Sequence, residues 1–211
     1  MSVVIEFTLT TRPGHYEQAL EAYLDFVNRL EDEIEDLSLA IIAGEPSQDL
    51  IHGVGIYESA EAAEDLASLP FFAEVIDALE PHLAKAPERS ELELLALYAM
   101  DTEIQAPHIG EASLVEMSML ARLGHVDDVI ALHESFAQDF QEVEPNAVII
   151  LETVQRASGR IRAFVLYENS SIATAEGSGP LVGGFYDAVE SLLAEPPRRS
   201  ELHIVHAFAR G

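Results

Sequence analysis

The spacing of apolar residues changes repeatedly along the first half of the chain, and each change predicts a new element. In VVIEFTLT, apolar and polar residues alternate, which predicts a half-buried strand. RPGHYEQALEAYLDFVNRLEDEI then places Ala19, Tyr23 and Phe26 at helical spacing after a Pro-Gly turn. LSLAIIAG and LIHGVGIYE are short β-rich runs joined by EPSQD, which predicts a hairpin.

The rest of this half predicts one more helix and one more strand. SAEAAEDLASLPFFAEVIDALEPHLA has a helical periodicity that is interrupted near Pro70, and ELELLALYA is typical of a strand. The second half shows the same succession of patterns, from SLVEMSML to ELHIVHAFA. Each half therefore predicts the element order β-α-β-β-α-β.

An internal repeat explains why the two halves agree. PERSELELLALYA, Pro87 to Ala99, returns as PRRSELHIVHAFA, Pro197 to Ala209. The same offset aligns further identical residues, among them Glu6 with Glu116, Arg12 with Arg122, Phe26 with Phe136, Tyr57 with Tyr167 and Pro70 with Pro180. We interpret this as a duplicated domain, with repeats at 1–100 and 113–211 and a polar linker at 101–112.

The repeated element order is that of ferredoxin-like domains, in which two helices cover one face of an antiparallel sheet. One such sheet leaves its other face bare, and a second copy in the same chain can cover that face. We therefore expect an α+β fold: tandem ferredoxin-like β-α-β-β-α-β repeats that form an intrachain pseudo-dimeric α+β barrel with the helices outside.

The composition limits the classes of partner and the cellular location that we expect. The hydrophobic share of 48% is that of a folded globular chain, but 38 acidic residues against 11 basic ones give a net charge of -27. Such a surface repels phosphate backbones and anionic lipids, so we expect neither nucleic acid nor a membrane as partner. The chain has no Cys, which excludes disulfides and thiolate chemistry. With no signal-peptide pattern and no long apolar run, we expect a cytoplasmic protein.

Two stretches of the first repeat resemble a known family. GIYESAEAAEDLASLPFFAEVIDALEPHLAKAPE is similar to the second half of antibiotic-biosynthesis-monooxygenase (ABM) domains, and TTRPGHYEQALEAYLDF resembles the first turn and helix of that family. The resemblance implies a dimeric α+β barrel. It also implies one of several functions: cofactor-independent oxygenases of quinols and polyketide anthrones, haem-degrading enzymes, and domains without known activity.

The chain departs from the family pattern at two points. Where the family often has His after Ser-Pro, this chain has Leu69-Pro70-Phe71-Phe72 in one repeat and Gly179-Pro180-Leu181-Val182 in the other. A haem-degrading member would be expected to carry a Trp, and this chain has none. The departures argue against haem degradation and remove a polar group that is usual in the quinol oxygenases.

A cofactor-free oxygenase needs a base, an anion stabiliser and a dry cavity, because the deprotonated substrate itself supplies the electrons. Two histidines enter the second repeat where the first has uncharged residues: His133 replaces Tyr23, and His206 replaces Ala96. We predict that both histidines are catalytic and line one pocket, where one could act as base. The predicted substrate-binding residues of that pocket are Met117, Met119, Phe136, Tyr186 and Phe208. The alternative is that each His is a core-edge side chain satisfied by a backbone carbonyl or water.

Other polar positions have structural alternatives as well. Glu6 and Glu116 could place two carboxylates near the pseudo-twofold axis as a metal or proton site, or each could pair with an Arg. No histidine spacing indicates zinc, so we predict no metal. GSGPLVGG, Gly177 to Gly184, predicts a flexible break in a helix and could form a lid. At the repeated RSEL corner, we expect an ion pair between Arg89 and Glu91, and the same in the second copy.

The resemblance and the residues together leave two classes of function open. The first is a cofactor-independent oxygenase of an aromatic or quinol-like small molecule that uses the pocket of the second repeat and no cofactor. The second is a non-catalytic protein that binds a small hydrophobic ligand or assembles with partners, and a homodimer is compatible with either.

Overall fold

The structure is a computed structural model that describes residues 2–99, 112–143, 147–167, 169–176 and 179–210. The first repeat forms β1 (Val3–Thr10), α1 (Tyr16–Glu33), β2 (Leu37–Glu45), β3 (Leu50–Tyr57), α2 (Ala60–Glu64), α3 (Phe72–Leu79) and β4 (Glu88–Ala99). The second repeat forms β5 (Ser113–Leu120), α4 (Val126–Val143), β6 (Ala147–Gln155), β7 (Arg160–Tyr167), α5 (Ser170–Glu176), α6 (Pro180–Val189) and β8 (Arg198–Ala209). The predicted element order is confirmed in both repeats. The predicted linker lies outside the described residues except for Ala112.

Hydrogen bonding joins the described strands in the order β1-β3-β2-β8-β5-β7-β6-β4 and closes them into an antiparallel barrel. The predicted α+β barrel of two ferredoxin-like repeats is therefore confirmed. The hairpins of the two repeats share one register: Ile42 lies opposite Gly53, and at the aligned positions Glu152 lies opposite Ala163.

The compact units of the molecule do not coincide with the sequence repeats. Among the described residues, the first unit contains those up to Leu92 and those from His203 onward, and the second contains Glu93 to Leu202. The cause is the long last strand of each repeat, because β8 pairs with β2 from His203 to Ala209 and β4 pairs with β6 from Glu93. The end of β4, from the first repeat, thus belongs to the second unit, and the end of β8, from the second repeat, belongs to the first unit.

Each unit has its own core, built on the amphipathic face of its long helix. In the first unit, α1 buries seven residues: Tyr16, Ala19, Leu20, Tyr23, Phe26, Val27 and Leu30. They pack with strand residues such as Ile5, Ile42 and Ile51. In the second unit, Val129 and Ile130 of α4 pack with Met119 and Ile161 of the sheet.

The helix break and the corner of each repeat differ in detail from the prediction. The second helix is broken in the first repeat between α2 and α3. In the second repeat α5 ends at Glu176 and α6 begins at Pro180, so Pro180 to Gly184 of the predicted break are helical, and residues 177–178 lie outside the described part of the chain. The corner arginines do not form the ion pair that we predicted. Arg89 donates to the carbonyl of Ala63 at 3.5 Å and Arg199 to that of Ala173 at 2.8 Å, so each binds the preceding short helix instead.

Candidate functional site

A fully buried polar pair lies in the second unit, between α4 and the sheet. His133 occupies the inner face of α4, and Glu152 stands in β6, a strand that is buried over most of its length. The side chains of both residues are only 1% exposed, and the His133 Nδ1 atom lies 3.1 Å from the Glu152 Oε2 atom. Burying two ionisable groups is costly unless they face each other, so their contact is what makes this burial possible.

Two aromatic rings lie against the imidazole. The ring of Phe185 meets the His133 ring edge-on at 5.4 Å between centroids, and that of Phe136 does so at 6.2 Å. Phe136 and Phe185 stack on each other with centroids 4.5 Å apart. Met117 and Met119 belong to the same buried cluster. This surrounding excludes water and gives the pair an apolar environment.

The contact between His133 and Glu152 is close but poorly aligned. Neither ring nitrogen of His133 has a hydrogen-bond partner of good geometry, and the same holds for Glu152 Oε2. At 3.1 Å, a small rotation of either side chain would bring the two atoms into hydrogen-bond alignment. His133 therefore has capacity to exchange a proton with a group placed beside it, and Glu152 can stabilise the imidazolium.

Two tyrosines border this region. Burial raises the pKa of Tyr186, which the Arg199 guanidinium partly offsets. Burial also raises the pKa of Tyr98, and the negative charges of Glu152 and Glu134 add to that effect. Both phenols are therefore protonated at neutral pH, so they can donate hydrogen bonds but do not act as bases.

The structure assembles five of the seven predicted site residues in the second unit and places the other two elsewhere. Met117, Met119, Phe136 and Tyr186 pack in one cluster, and His133 contacts Phe136. His206 and Phe208, in contrast, belong to the first unit because their part of β8 pairs with β2. The expectation that they share the pocket of the second repeat was therefore wrong.

His206 instead contacts a carboxylate in the first unit. Its Nε2 atom lies 2.6 Å from Glu31 Oε1 at the end of α1, and the two side chains are 22% and 14% exposed. Phe208 packs against the core of that unit. The alternative of a core-edge histidine thus describes the surroundings of His206 better, although its partner is a carboxylate.

Glu6 and Glu116 are also assigned to different units. Glu116 accepts a hydrogen bond at 2.7 Å from Arg162, whose guanidinium lies over the ring of Phe164, so this carboxylate is neutralised by an Arg. Glu6 is buried at 5% exposure within the first unit. No cluster of three or more potential metal ligands occurs among the residues that the structure describes.

Glu152, Phe185 and Tyr98 are site residues that sequence reasoning missed. Glu152 interrupts the apolar run AVIILETV, and alignment of the repeats places it opposite Ile42 of the first. That difference was a usable signal, since His133 stands out by the same comparison. Phe185 aligns with Val75, and the exchange of one apolar residue for another gives no signal of a site. Tyr98 belongs to the second unit only because the end of β4 does.

The aligned positions of the first unit hold no charged pair. Tyr23 occupies the place of His133, and burial raises its pKa most, with further increases from Tyr57 and Glu6. Beside the Tyr23 ring a cavity of about 20 Å³ remains between α1 and the sheet, which is room for one water molecule. The first unit thus has a nearly filled core where the second has a polar pair.

Surface crevices occur at matching places in both units. The crevice of the second unit has a volume of about 610 Å³, and Tyr186, Arg122 and Arg199 line it. The aligned crevice of the first unit has about 280 Å³, with Ile76 at the place of Tyr186. Tyr186 also contacts Phe185, with ring centroids 6.2 Å apart, so one of the residues that line the larger crevice touches the aromatic cluster.

Comparisons with known proteins identify the fold. No protein-family model matches the sequence, and no curated protein sequence matches it significantly. Among solved structures, a candidate monooxygenase from Fusobacterium nucleatum is similar with a TM-score of 0.85 and 10% identity, over 100% of this chain and 95% of its own. A candidate monooxygenase from Lactobacillus acidophilus gives a TM-score of 0.80 and 7% identity, over 100% and 97%.

A third solved structure, of an anthrone oxidase-like protein, gives a TM-score of 0.69 and 12% identity, over 100% of this chain and 93% of its own. At such identities the likeness shows a shared fold. The chain therefore has the tandem α+β barrel of these proteins along its whole length, as the resemblance to ABM domains implied. Separately, none of the described helices has the length and apolar character needed to cross a bilayer.

Proposed function

We propose that this chain is a cofactor-independent oxygenase of an aromatic or quinol-like small molecule, with His133 as its base. The observation that carries the proposal is the fully buried pair of His133 and Glu152, 3.1 Å apart and enclosed by Phe136 and Phe185. An imidazole with an adjacent carboxylate in a dry aromatic surrounding meets the requirements for deprotonating a planar phenol or an activated methylene.

The reaction needs only the substrate and dioxygen. His133 removes a proton from the substrate, and the resulting carbanion transfers its electrons to O2, so that a new C–O bond gives a hydroperoxide. The His133 imidazolium returns its proton to the peroxide oxygen to complete the hydroperoxide. The O–O bond then breaks as the carbon loses its remaining hydrogen as a proton, and that proton leaves with the departing hydroxide as water. For an activated methylene, the balance is CH2 plus O2 giving C=O plus H2O, with carbon oxidised and oxygen reduced.

Each neighbour of His133 has a physical role in this scheme. Glu152 stabilises the imidazolium that forms when His133 takes the proton, which favours the charged intermediate in an apolar surrounding. Phe136 and Phe185, stacked on each other, form the aromatic wall beside the imidazole, and a planar substrate that displaces one ring would stack on the other. Tyr186, protonated because burial raises its pKa, can donate a hydrogen bond to a developing oxyanion.

The substrate would approach from the crevice beside Tyr186. That crevice has a volume of about 610 Å³, enough for a small polycyclic molecule, and it reaches the ring that borders the aromatic cluster. Entry requires the Tyr186 ring to rotate away from Phe185. The names of the structurally similar proteins, two candidate monooxygenases and an anthrone oxidase-like protein, agree with this reaction class.

Oxygen consumption tests the proposal directly. The purified chain is incubated with a panel of hydroquinones and anthrones in metal-free buffer, and O2 uptake is followed together with product formation. We expect uptake with at least one substrate, and a loss of 10²-fold or more, on the order expected for removing a general base, when His133 is replaced by Phe. His206→Ala is the matched control, because His206 lies in the first unit, and it should retain the activity.

Two results would contradict this proposal. If His133→Phe keeps the activity while His206→Ala loses it, the base is His206. If substrates raise the melting temperature of the wild-type chain without any O2 uptake, the chain is a binding protein rather than an oxygenase.

A further inference from the structure

Two histidines of the first unit face each other away from the proposed site. The Nδ1 atoms of His15 and His82 are 3.1 Å apart, and their rings are tilted by 41° with centroids 5.4 Å apart. Both side chains are partly buried. A hydrogen bond between two Nδ1 atoms requires one protonated nitrogen and one bare nitrogen, so the pair is arranged around a single shared proton.

The backbone holds this pair in place from both sides. His15 directly precedes α1, and its N–H donates to the carbonyl of Arg12 at 2.9 Å. The Arg12 N–H in turn donates to the carbonyl of His82 at 2.8 Å, and the Arg12 side chain donates to that of Leu83 at 2.9 Å. The two rings are therefore preorganised, although the residues are far apart in sequence.

We propose that His15 and His82 bind one divalent transition-metal ion through their Nδ1 atoms. Two metal–nitrogen bonds of about 2.05 Å that span 3.1 Å subtend an angle of about 98°, between the octahedral and tetrahedral values. The ion replaces the shared proton, and both rings then carry their proton on Nε2. Imidazole pairs suit Zn²⁺, Ni²⁺ and Cu²⁺ and bind Mg²⁺ poorly.

Water completes the coordination, because the described residues offer no third His, Asp or Glu in a common cluster. The ion would connect the start of α1 to the turn that ends at His82 and so stabilise the first unit. This site is independent of the proposed oxygenase reaction, since neither histidine belongs to the second unit.

The second unit supplies a natural comparison. It has the same backbone frame, in which the Arg122 N–H donates to the carbonyl of Leu192 at 2.8 Å and the His125 N–H to that of Arg122 at 2.9 Å. At the place of His82, however, it has Leu192, and the His125 ring turns to Asp128, with Nδ1 and Oδ2 2.8 Å apart. The paired imidazoles are thus specific to the first unit.

Calorimetric titration of the full chain with Zn²⁺, in excess Mg²⁺ to occupy surface carboxylates, tests the site. We expect one Zn²⁺ per chain, with an affinity that falls at least about tenfold in His82→Leu and in His15→Asn. His82→Leu copies the residue of the second unit, so it should fold, and circular dichroism checks this. His125→Ala is the control and should bind Zn²⁺ as the wild type does.

Thermal unfolding provides a second measurement. Zn²⁺ should raise the melting temperature of the wild type and of His125→Ala but not that of His82→Leu, because an ion that binds only the folded state stabilises it. The proposal is overturned if folded His82→Leu binds Zn²⁺ with wild-type affinity, or if His125→Ala alone abolishes binding. Neither outcome depends on O2 uptake, so the site can fail while the proposed oxygenase activity stands.

Discussion

The two units of this molecule have one backbone plan and two different interiors. Where the first unit has Tyr23 on its long helix, Ile42 on the second strand and Gly53 opposite, the second has His133, Glu152 and Ala163. The changes are coupled. The Tyr23 ring fills the space that a Cβ atom would need at Gly53, whereas the shorter His133 leaves room for Ala163.

Comparing the two units shows which interior residues the fold requires and which it only tolerates. Both units keep an amphipathic helix against the sheet, and the first unit, whose core holds three buried tyrosines and the buried Glu6, shows that the fold does not require a His–Glu pair at these positions. The His133–Glu152 pair of the second unit is therefore not needed for folding, and its burial at 1% exposure adds a cost that a functional role can explain. The proposed function uses only the second copy, and the first copy is then a structural part of the barrel.

The largest effect is expected from splitting the buried pair. His133→Leu leaves Glu152 buried without its partner, and we expect a loss of about 3–5 kcal/mol in the free energy of unfolding. The triple variant His133→Tyr, Glu152→Ile, Ala163→Gly copies the interior of the first unit and should recover most of that loss. Urea unfolding at neutral pH measures both.

The triple variant also separates stability from catalysis. It should fold and show no O2 uptake, since it lacks the proposed base while keeping the core filled. If His133→Leu is as stable as the wild type, or if the triple variant is less stable than His133→Leu, the two interiors are not interchangeable and the comparison fails.

A smaller loss of stability is expected from adding a methyl group to the filled core of the first unit. In Gly53→Ala, the new Cβ would overlap the Tyr23 hydroxyl and lie 2.8 Å from its Cε1 atom, and we expect a loss of about 1–3 kcal/mol. Gly183→Ala is the control, because its Cβ meets no atom within 4 Å on a helix, and it should be neutral or slightly stabilising. Equal unfolding midpoints for the two variants would show that Tyr23 can move aside freely.

Much of the fold could be predicted because the sequence contains two copies of the same pattern of apolar and polar residues. The alternation in VVIEFTLT and the helical spacing around Phe26 recur in the second repeat, and both predicted elements are confirmed. The exchange of strand ends was not predictable from periodicity. Which sheet the end of β8 joins depends on hydrogen bonds between residues distant in sequence, such as His206 opposite Ile42.

The site could be predicted only in part, because some of its contacts also join residues that are distant in sequence. Aligning the repeats singles out His133, and its aromatic neighbour Phe136 follows from helical spacing. Its partner Glu152 lies on another element, and only the packing of α4 against β6 brings the two together. His206 shows the converse error, because a residue can stand out in the alignment of two repeats and still lie in the unit of the other repeat.

The contact of His206 with Glu31 provides a test of the strand exchange. If the end of β8 stabilises α1 through this contact, a double-mutant cycle with His206→Ala and Glu31→Gln should give a coupling of about 1 kcal/mol, since both side chains are largely buried. Ala96 stands at the aligned position of β4, so the second unit lacks this contact. A coupling within experimental error of zero would mean that the contact contributes nothing to holding β8 in the first unit.

The smallest change in stability is expected from an exposed cluster of ion pairs that only the second unit has among the described residues. Arg156, which aligns with Pro46, donates hydrogen bonds to both oxygens of Glu93, and this lowers the pKa of the Glu93 carboxyl. A carboxyl whose pKa is lowered by folding stabilises the protein above its unfolded pKa of about 4.3 and loses that contribution as the pH falls through the folded pKa. Arg156 also donates to Asp127 at 2.8 Å. Arg156→Gln should therefore lower the urea midpoint slightly at pH 7 and not at all in acid that protonates both carboxylates, and added salt should shrink the difference. A difference that persists in acid would mean that Arg156 acts through packing, and the charge contrast between the two units would then have no part in their stability.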